Sequence, residues 1–200
     1  MIKRTAFAST VVAALLLTVS PLMAHEAAAK TKNSVQQVSA TELNEEAKAT
    51  LERVGTAMPD IKDYEIIRIT KKTETSVTGD IDVFEIQLLG APHPVNPNFA
   101  SVRINAVTGE LIVAEIQNGL VSTTPLNNQE AKSKGSSYLE TLLGDAAEDY
   151  LFSNVYTYTL GNDDKPVTVV TFESAENSVH IAIDGNGDLK RFLKDIYPQE

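Results

Sequence analysis

Cysteine and tryptophan are absent from this 200-residue chain, and histidine occurs only three times. Without cysteine there is no disulfide, no thiolate nucleophile, no thiolate zinc site and no lipid-modified amino-terminal cysteine. Basic residues are also scarce: 17 Lys and Arg stand against 27 Asp and Glu, a net charge of −10. Such a surface repels phosphate backbones and anionic lipid heads, which excludes nucleic acid and membrane surfaces and favours a basic protein or a cationic ligand. No G-x-S-x-G elbow, phosphate-binding glycine loop or H-E-x-x-H motif occurs, so the chain reads as a non-enzyme with no cofactor.

The start of the chain reads as an export signal. Lys3 and Arg4 are followed by an apolar stretch from Ala6 to Val19 and a small-residue exit, Pro21-Leu22-Met23-Ala24. The apolar stretch is shorter than the ~20 residues of a membrane span, which argues for cleavage after Ala24. Loss of Lys3 and Arg4 would take the net charge from −10 to −12. The expected address is the periplasm or the medium of a bacterial exporter. Residues 25–38, rich in Ala, Lys, Gln and Asn, read as a flexible leader.

The strongest internal signal is repetition. Asn44-Glu-Glu-Ala-Lys48 returns as Asn128-Gln-Glu-Ala-Lys132, and Ser101-Val-Arg-Ile104 returns as Ser178-Val-His-Ile181. A glycine turn follows each second element, Thr108-Gly109 and Asn186-Gly187. Recurrence in the same order marks a duplicated structural unit. Each half reads as one helix followed by four strands. In the first, a helix is expected from the Ser39…Glu42 capping box to Gly55, then strands at 64–71, 81–89, 100–106 and 110–116. In the second, a helix capped at Asn127 or Asn128 runs to Gly144, with strands at 155–160, 167–172, 178–183 and 188–193. The domain reading is a signal peptide at 1–24, a leader at 25–38, lobe 1 at 39–118, a linker at 119–127 and lobe 2 at 128–200.

A helix led by Glu46-Ala47-Lys48, followed by antiparallel strands that end in Val102-Arg-Ile-Asn-Ala-Val-Thr-Gly-Glu-Leu111, resembles the PepSY domain family. Glu130-Ala131-Lys132 and Ile181 to Leu189 offer the same pattern in the second half, with Asn-Gly in place of Thr-Gly and one inserted residue. The resemblance implies an α+β fold of two cystatin-like lobes, each one helix packed on a curled antiparallel sheet of about four strands. It also implies a secreted or envelope protein that inhibits or chaperones a peptidase, and it brings no catalytic residues.

Candidate chemistry is sparse. His25 would become the mature amino terminus, where amine and imidazole together can grip copper, with His93 or His180 as the further ligand; chance placement is the favoured account of it, and no metal site is assigned. Asp184, Asn186 and Asp188 alternate as calcium-loop ligands do, but Leu189 stands where the loop requires glycine, so a plain turn is expected. Tyr150, Phe152, Tyr156 and Tyr158 read mainly as packing. The segment Gly90 to Phe99 is the best binding candidate: Pro92, Pro94 and Pro97 stiffen it, and His93, Val95 and Phe99 give it something to insert into a groove. The expected function is an exported, non-catalytic protein-binding module, acting on a secreted peptidase through Pro92, His93, Pro94, Val95, Pro97 and Phe99. The alternative is a small-ligand or metal binder of the cell envelope, with its site between the lobes.

Overall fold

Two asparagines place the helices. The Asn44 side chain accepts the N–H of Ala47 at 2.9 Å and starts α1 (Glu45–Ala57), and the Asn127 side chain accepts the N–H of Glu130 at 3.0 Å and starts α2 (Asn128–Leu143). The computed structural model describes residues 35–77, 79–91, 98–117, 124–160 and 165–196, the side chain of Leu160 excepted. The Ser39…Glu42 capping box, expected to open the first helix, closes only a short 3₁₀ turn at Ala40–Glu42, because Leu43 goes extended before α1 begins. Gly55, the expected stop, lies inside α1, which ends two residues later at Ala57, with the Met58 N–H bonding back to the Val54 carbonyl at 2.8 Å.

The strands are β1 (Gln36–Gln37), β2 (Glu65–Ser76), β3 (Gly79–Leu89), β4 (Phe99–Asn105), β5 (Leu111–Gln117), β6 (Leu151–Leu160), β7 (Lys165–Glu173), β8 (Ser178–Asp184) and β9 (Leu189–Lys194). All neighbours are antiparallel, and the order is β1-β2-β3-β4-β5-β9-β8-β7-β6. This corrects the expected fold class. The described residues form one nine-stranded sheet with two α-helices, not two lobes that each close a helix over a separate four-stranded sheet. The joining seam pairs the last strands of the two halves, with Val113 opposite Leu193, Ala114 opposite Phe192 and Glu115 opposite Arg191. The reason is physical: Ala114 and Phe192 are both fully buried, and separate lobes would leave them on bare apolar strand edges.

Both helices serve one core. Ala47 and Val54 of α1, Ala131, Leu139 and Leu142 of α2, and Phe84, Ile86, Leu88, Val102, Ile104, Val170, Ile181 and Phe192 of the sheet form a single cluster. Burying each large member contributes roughly 1.5–3 kcal/mol. Alternation along the strands then sends the intervening side chains to the opposite face, which neither helix covers. Bulges at Arg103/Ile104 and Ala182/Ile183 adjust that alternation beside the two glycine turns.

Candidate functional site

The uncovered face is built from strand register. One cross-strand row runs Tyr156, Val169, Ala182, Arg191, Glu115, Ser101, Gln87 and Arg68, and the next runs Asn154, Thr171, His180, Leu193, Val113, Arg103, Glu85 and Thr70. Each row crosses from β6 to β2, and its members alternate with the helix-facing core positions. The face therefore spans both halves of the repeat without a break. A site built on it draws on eight strands at once.

Charge on this face is paired. Lys72 Nζ lies 2.9 Å from Glu74 and 2.8 Å from Glu85, Arg103 lies 3.4 Å from Glu74, and Arg191 lies 3.6 Å from Glu115. Burial alone would lower the Lys72 ammonium, but hydrogen bonds and attraction from Glu74 and Glu85 outweigh it and hold its pKa above the ordinary lysine value. Three cations, Lys72, Arg103 and Arg191, meet three anions, Glu74, Glu85 and Glu115, with Arg68 in the same row as Arg191, so these rows are near neutral on a chain whose net charge is −10. The excess acid lies elsewhere. A basic partner, expected from composition, is not what this face selects.

At the β6 end the face carries a groove of about 390 Å³ lined by Tyr156, Tyr158, Val169, His180, Arg191 and Leu193 among others. Tyr156 is 46% exposed and its ring lies 6.3 Å from that of Tyr158. The expectation that the aromatic concentration is mainly packing holds for Tyr150, which packs on the core, for Tyr158, which packs beside Val169, and for Phe152, whose ring meets that of its cross-strand neighbour Phe172 edge-on at 6.2 Å, while Tyr156 stays exposed. His180 Nδ1 lies 3.1 Å from Thr171 Oγ1 and its Nε2 lies 3.2 Å from Ser178 Oγ. Both ring nitrogens thus have hydroxyl partners.

A second concavity lies on the other side of the sheet, between α1 and β2. It measures about 560 Å³ and is lined by Leu43, Leu51, Ile61, Tyr64, Ile66 and Leu88, with Lys48, Glu52 and Lys62 among its polar residues. Burial pushes the Tyr64 hydroxyl above its ordinary pKa, helped by the charge of Asp60. The Tyr64 ring lies against Gly90, 2.6 Å from where a Cβ there would stand, and the Gly90 N–H bonds to the Asn98 carbonyl at 2.8 Å.

Of the residues singled out from sequence, Pro92, His93, Pro94, Val95, Pro97 and His25 lie outside the described residues. Phe99 is half-buried at the start of β4, opposite Leu89 and Gln117 on the uncovered face. Among the described residues no group of three His, Asp or Glu comes together to hold a metal. Asp184, expected as a turn residue, is one: its Oδ1 accepts the N–H groups of Asn186 and Asp188, each at 3.0 Å, while Oδ2 lies 3.4 Å from the buried Lys190 ammonium. Sequence reading missed the face itself. Its signal was the alternation of Lys72, Glu74, Glu85, Arg103, Glu115 and Arg191 with core residues, visible only once the strands are placed side by side. No helix among the described residues is long and apolar enough to cross a membrane. No family model, curated protein or solved structure matches this chain.

Proposed function

We propose that this is an exported, non-catalytic binding protein whose uncovered sheet face receives a protein partner. The observation that carries the reading is the pair of rows from β6 to β2, near neutral in charge, with Tyr156 exposed and Leu193 half-buried among the buried Val113, Val169 and Ala182, on the side of the sheet that neither helix uses. Paired ions keep such a face soluble when free, and their remaining donors and acceptors give register when it is covered. Tyr156, Tyr158 and Arg191 are residue types that anchor interfaces. The PepSY resemblance makes a secreted peptidase the first partner class to test. Occlusion rather than chemistry would be the mode of action.

The test is complex formation and inhibition with peptidases of the source's envelope and secreted fractions. The native chain should form a complex that Arg191→Glu combined with Tyr158→Asp loses and that a Gly/Ser replacement of residues 91–98 keeps. Loss with the loop replacement alone would move the site to that connection, and failure to slow any peptidase would remove the inhibitor version.

The apolar cleft beside α1 favours a second reading, a small apolar ligand of the envelope. A ligand at one hundred times its dissociation constant stabilises the native state by about 2.7 kcal/mol. A thermal-shift screen of apolar metabolites, with copper, zinc and calcium alongside, should move the native midpoint and leave that of Leu51→Glu in place; no shift for any of them removes this reading.

A further inference from the structure

We propose that β6 pairs edge to edge with β6 of a second copy of this chain, joining two nine-stranded sheets into one. Among the described residues β6 ends the sheet and bonds to β7 on one side only. Its residues, Leu151-Phe-Ser-Asn-Val-Tyr-Thr-Tyr-Thr-Leu160, include no charge, no proline and no glycine. Charges and prolines are the devices that keep edge strands of soluble proteins from pairing. The opposite edge has them: β1 covers β2 at Thr70 and Lys71, and β2 carries Glu65, Arg68, Lys71, Lys72 and Glu74. Leu151 at 75%, Phe152 at 38% and Tyr156 at 46% exposure add apolar surface to the bare edge.

The backbone shows where pairing would centre. The Val155 N–H donates to the adjacent Asn154 Oδ1 at 2.8 Å, so it points off the edge rather than to β7. Alternation puts the N–H and C=O of Thr157 and Thr159 outward as well. An antiparallel pair centred on Thr157 sets 155 of one copy against 159 of the other and satisfies these outward groups on both. The same register sets Tyr156 of each copy opposite Tyr158 of the other, an aromatic cross-strand pair on the groove side of the sheet. Charge favours a second copy over another peptide. At a net charge of −10 two copies repel over most of their surface, and β6 is where they meet without like charges; the same strand offers a basic peptide no carboxylate and an acidic one no cation. Association therefore strengthens as salt screens the remaining repulsion, the reverse of a charge-driven complex. This pairing is independent of the partner proposed for the open face.

The test combines sedimentation velocity with cysteine cross-linking, which a cysteine-free chain makes clean. The mass of the native chain should double between micromolar and near-millimolar concentration, at lower concentration in high salt than in low. Thr157→Cys should form a disulfide-linked dimer on mild oxidation, since hydrogen-bonded antiparallel partners stand about 5.5 Å apart at Cα and disulfides span that distance. Ser133→Cys, on the exposed side of α2, should not. Thr157→Lys, which sets a cation of each copy directly opposite that of the other, should stay monomeric with an unchanged far-ultraviolet spectrum. A native chain that stays monomeric at near-millimolar concentration in high salt overturns the proposal and leaves the edge to a different strand. Equal cross-linking at 157 and 133, or association unaffected by Thr157→Lys, overturns it too.

Discussion

Alanine at Gly109 should destabilise this protein far more than alanine at Gly187, although the two glycines end equivalent turns. Both have positive φ, +71° and +87°, so alanine at either costs about 1–2 kcal/mol for its backbone conformation. The surroundings differ. A Cβ at Gly109 would stand 2.3 Å from Glu46 Cβ and 2.7 Å from the Glu46 carbonyl carbon, so the first turn of α1 must move, whereas at Gly187 the nearest atoms are the far end of the Lys134 side chain at 3.0 Å. That turn of α1 is tied to the same hairpin by Asn44 Nδ2 to the Ala106 carbonyl at 3.1 Å and by Thr50 Oγ1 to the Gly109 carbonyl at 2.7 Å. Forcing packed backbone apart costs about 1–3 kcal/mol more, giving roughly 2–5 kcal/mol for Gly109→Ala against about 1–2 kcal/mol for Gly187→Ala. Urea unfolding of the two variants measures the difference directly, because the φ cost cancels between them. A difference under about 0.5 kcal/mol, within the usual scatter of surface substitutions, would refute the argument that the β4–β5 turn is clamped against α1.

Three further outcomes follow from the buried polar groups. Lys194, 8% exposed, pairs with Glu110 and lies over the Tyr150 ring, so Glu110→Gln should cost about 1–3 kcal/mol by stranding a buried cation, while Lys194→Met should cost less; the reverse order in urea unfolding would contradict this. Burial by itself would lower Lys194 and Lys72, but their carboxylate partners hold both above the unfolded lysine value, so their stabilisation is fully present below about pH 10.4 and is lost as pH rises through the raised folded values. At the acid end, hydrogen bonds from Thr73 and Lys71 hold Asp82 low, so its smaller contribution is lost as pH falls through that lowered value; urea midpoints against pH should show both limbs, and Lys72→Met should soften only the alkaline one. Tyr138→Phe removes the 2.7 Å hydrogen bond to the Gly187 carbonyl and should cost about 0.5–1.5 kcal/mol, with no change in fold by circular dichroism.

Much of the local structure was legible in the sequence, and the assembly was not. The Asn127 cap, the alternation of Phe84, Ile86 and Leu88, and the Asn-Gly and Thr-Gly turns are short-range signals that located the second helix and the cores of eight strands, while the first helix was found with its start set at Ser39 instead of Asn44. β2 outran its expected end because Lys72 to Ser76 is polar, and polarity reads as turn until Glu85 and Arg103 on the neighbouring strands give those side chains partners. Gly55 inside α1 reads as a stop but is not one, and at Gly135 inside α2 the missing side chain is what lets the helix approach Val170, 3.0 Å from where a Cβ would stand. The pairing of β5 with β9 has no local signature: Ala114 and Phe192 are merely apolar positions until the two strands meet. Repetition in the sequence therefore suggested two bodies, when the repeat units complete one another's sheet. The uncovered face was hidden for the same reason, its residues being spread from Arg68 to Leu193.

The most direct test of the functional account is single-cysteine footprinting of the mature chain. Ser101→Cys, at the middle of the uncovered face between Gln87 and Glu115, and Ser133→Cys, on the solvent side of α2, would each be labelled with a thiol reagent before and after mixing with the source's secreted and envelope fractions. The account predicts that labelling at 101 falls several-fold on mixing while labelling at 133 is unchanged. Protection at 133 with 101 still open would contradict it, and would place the partner on the helical side of the sheet.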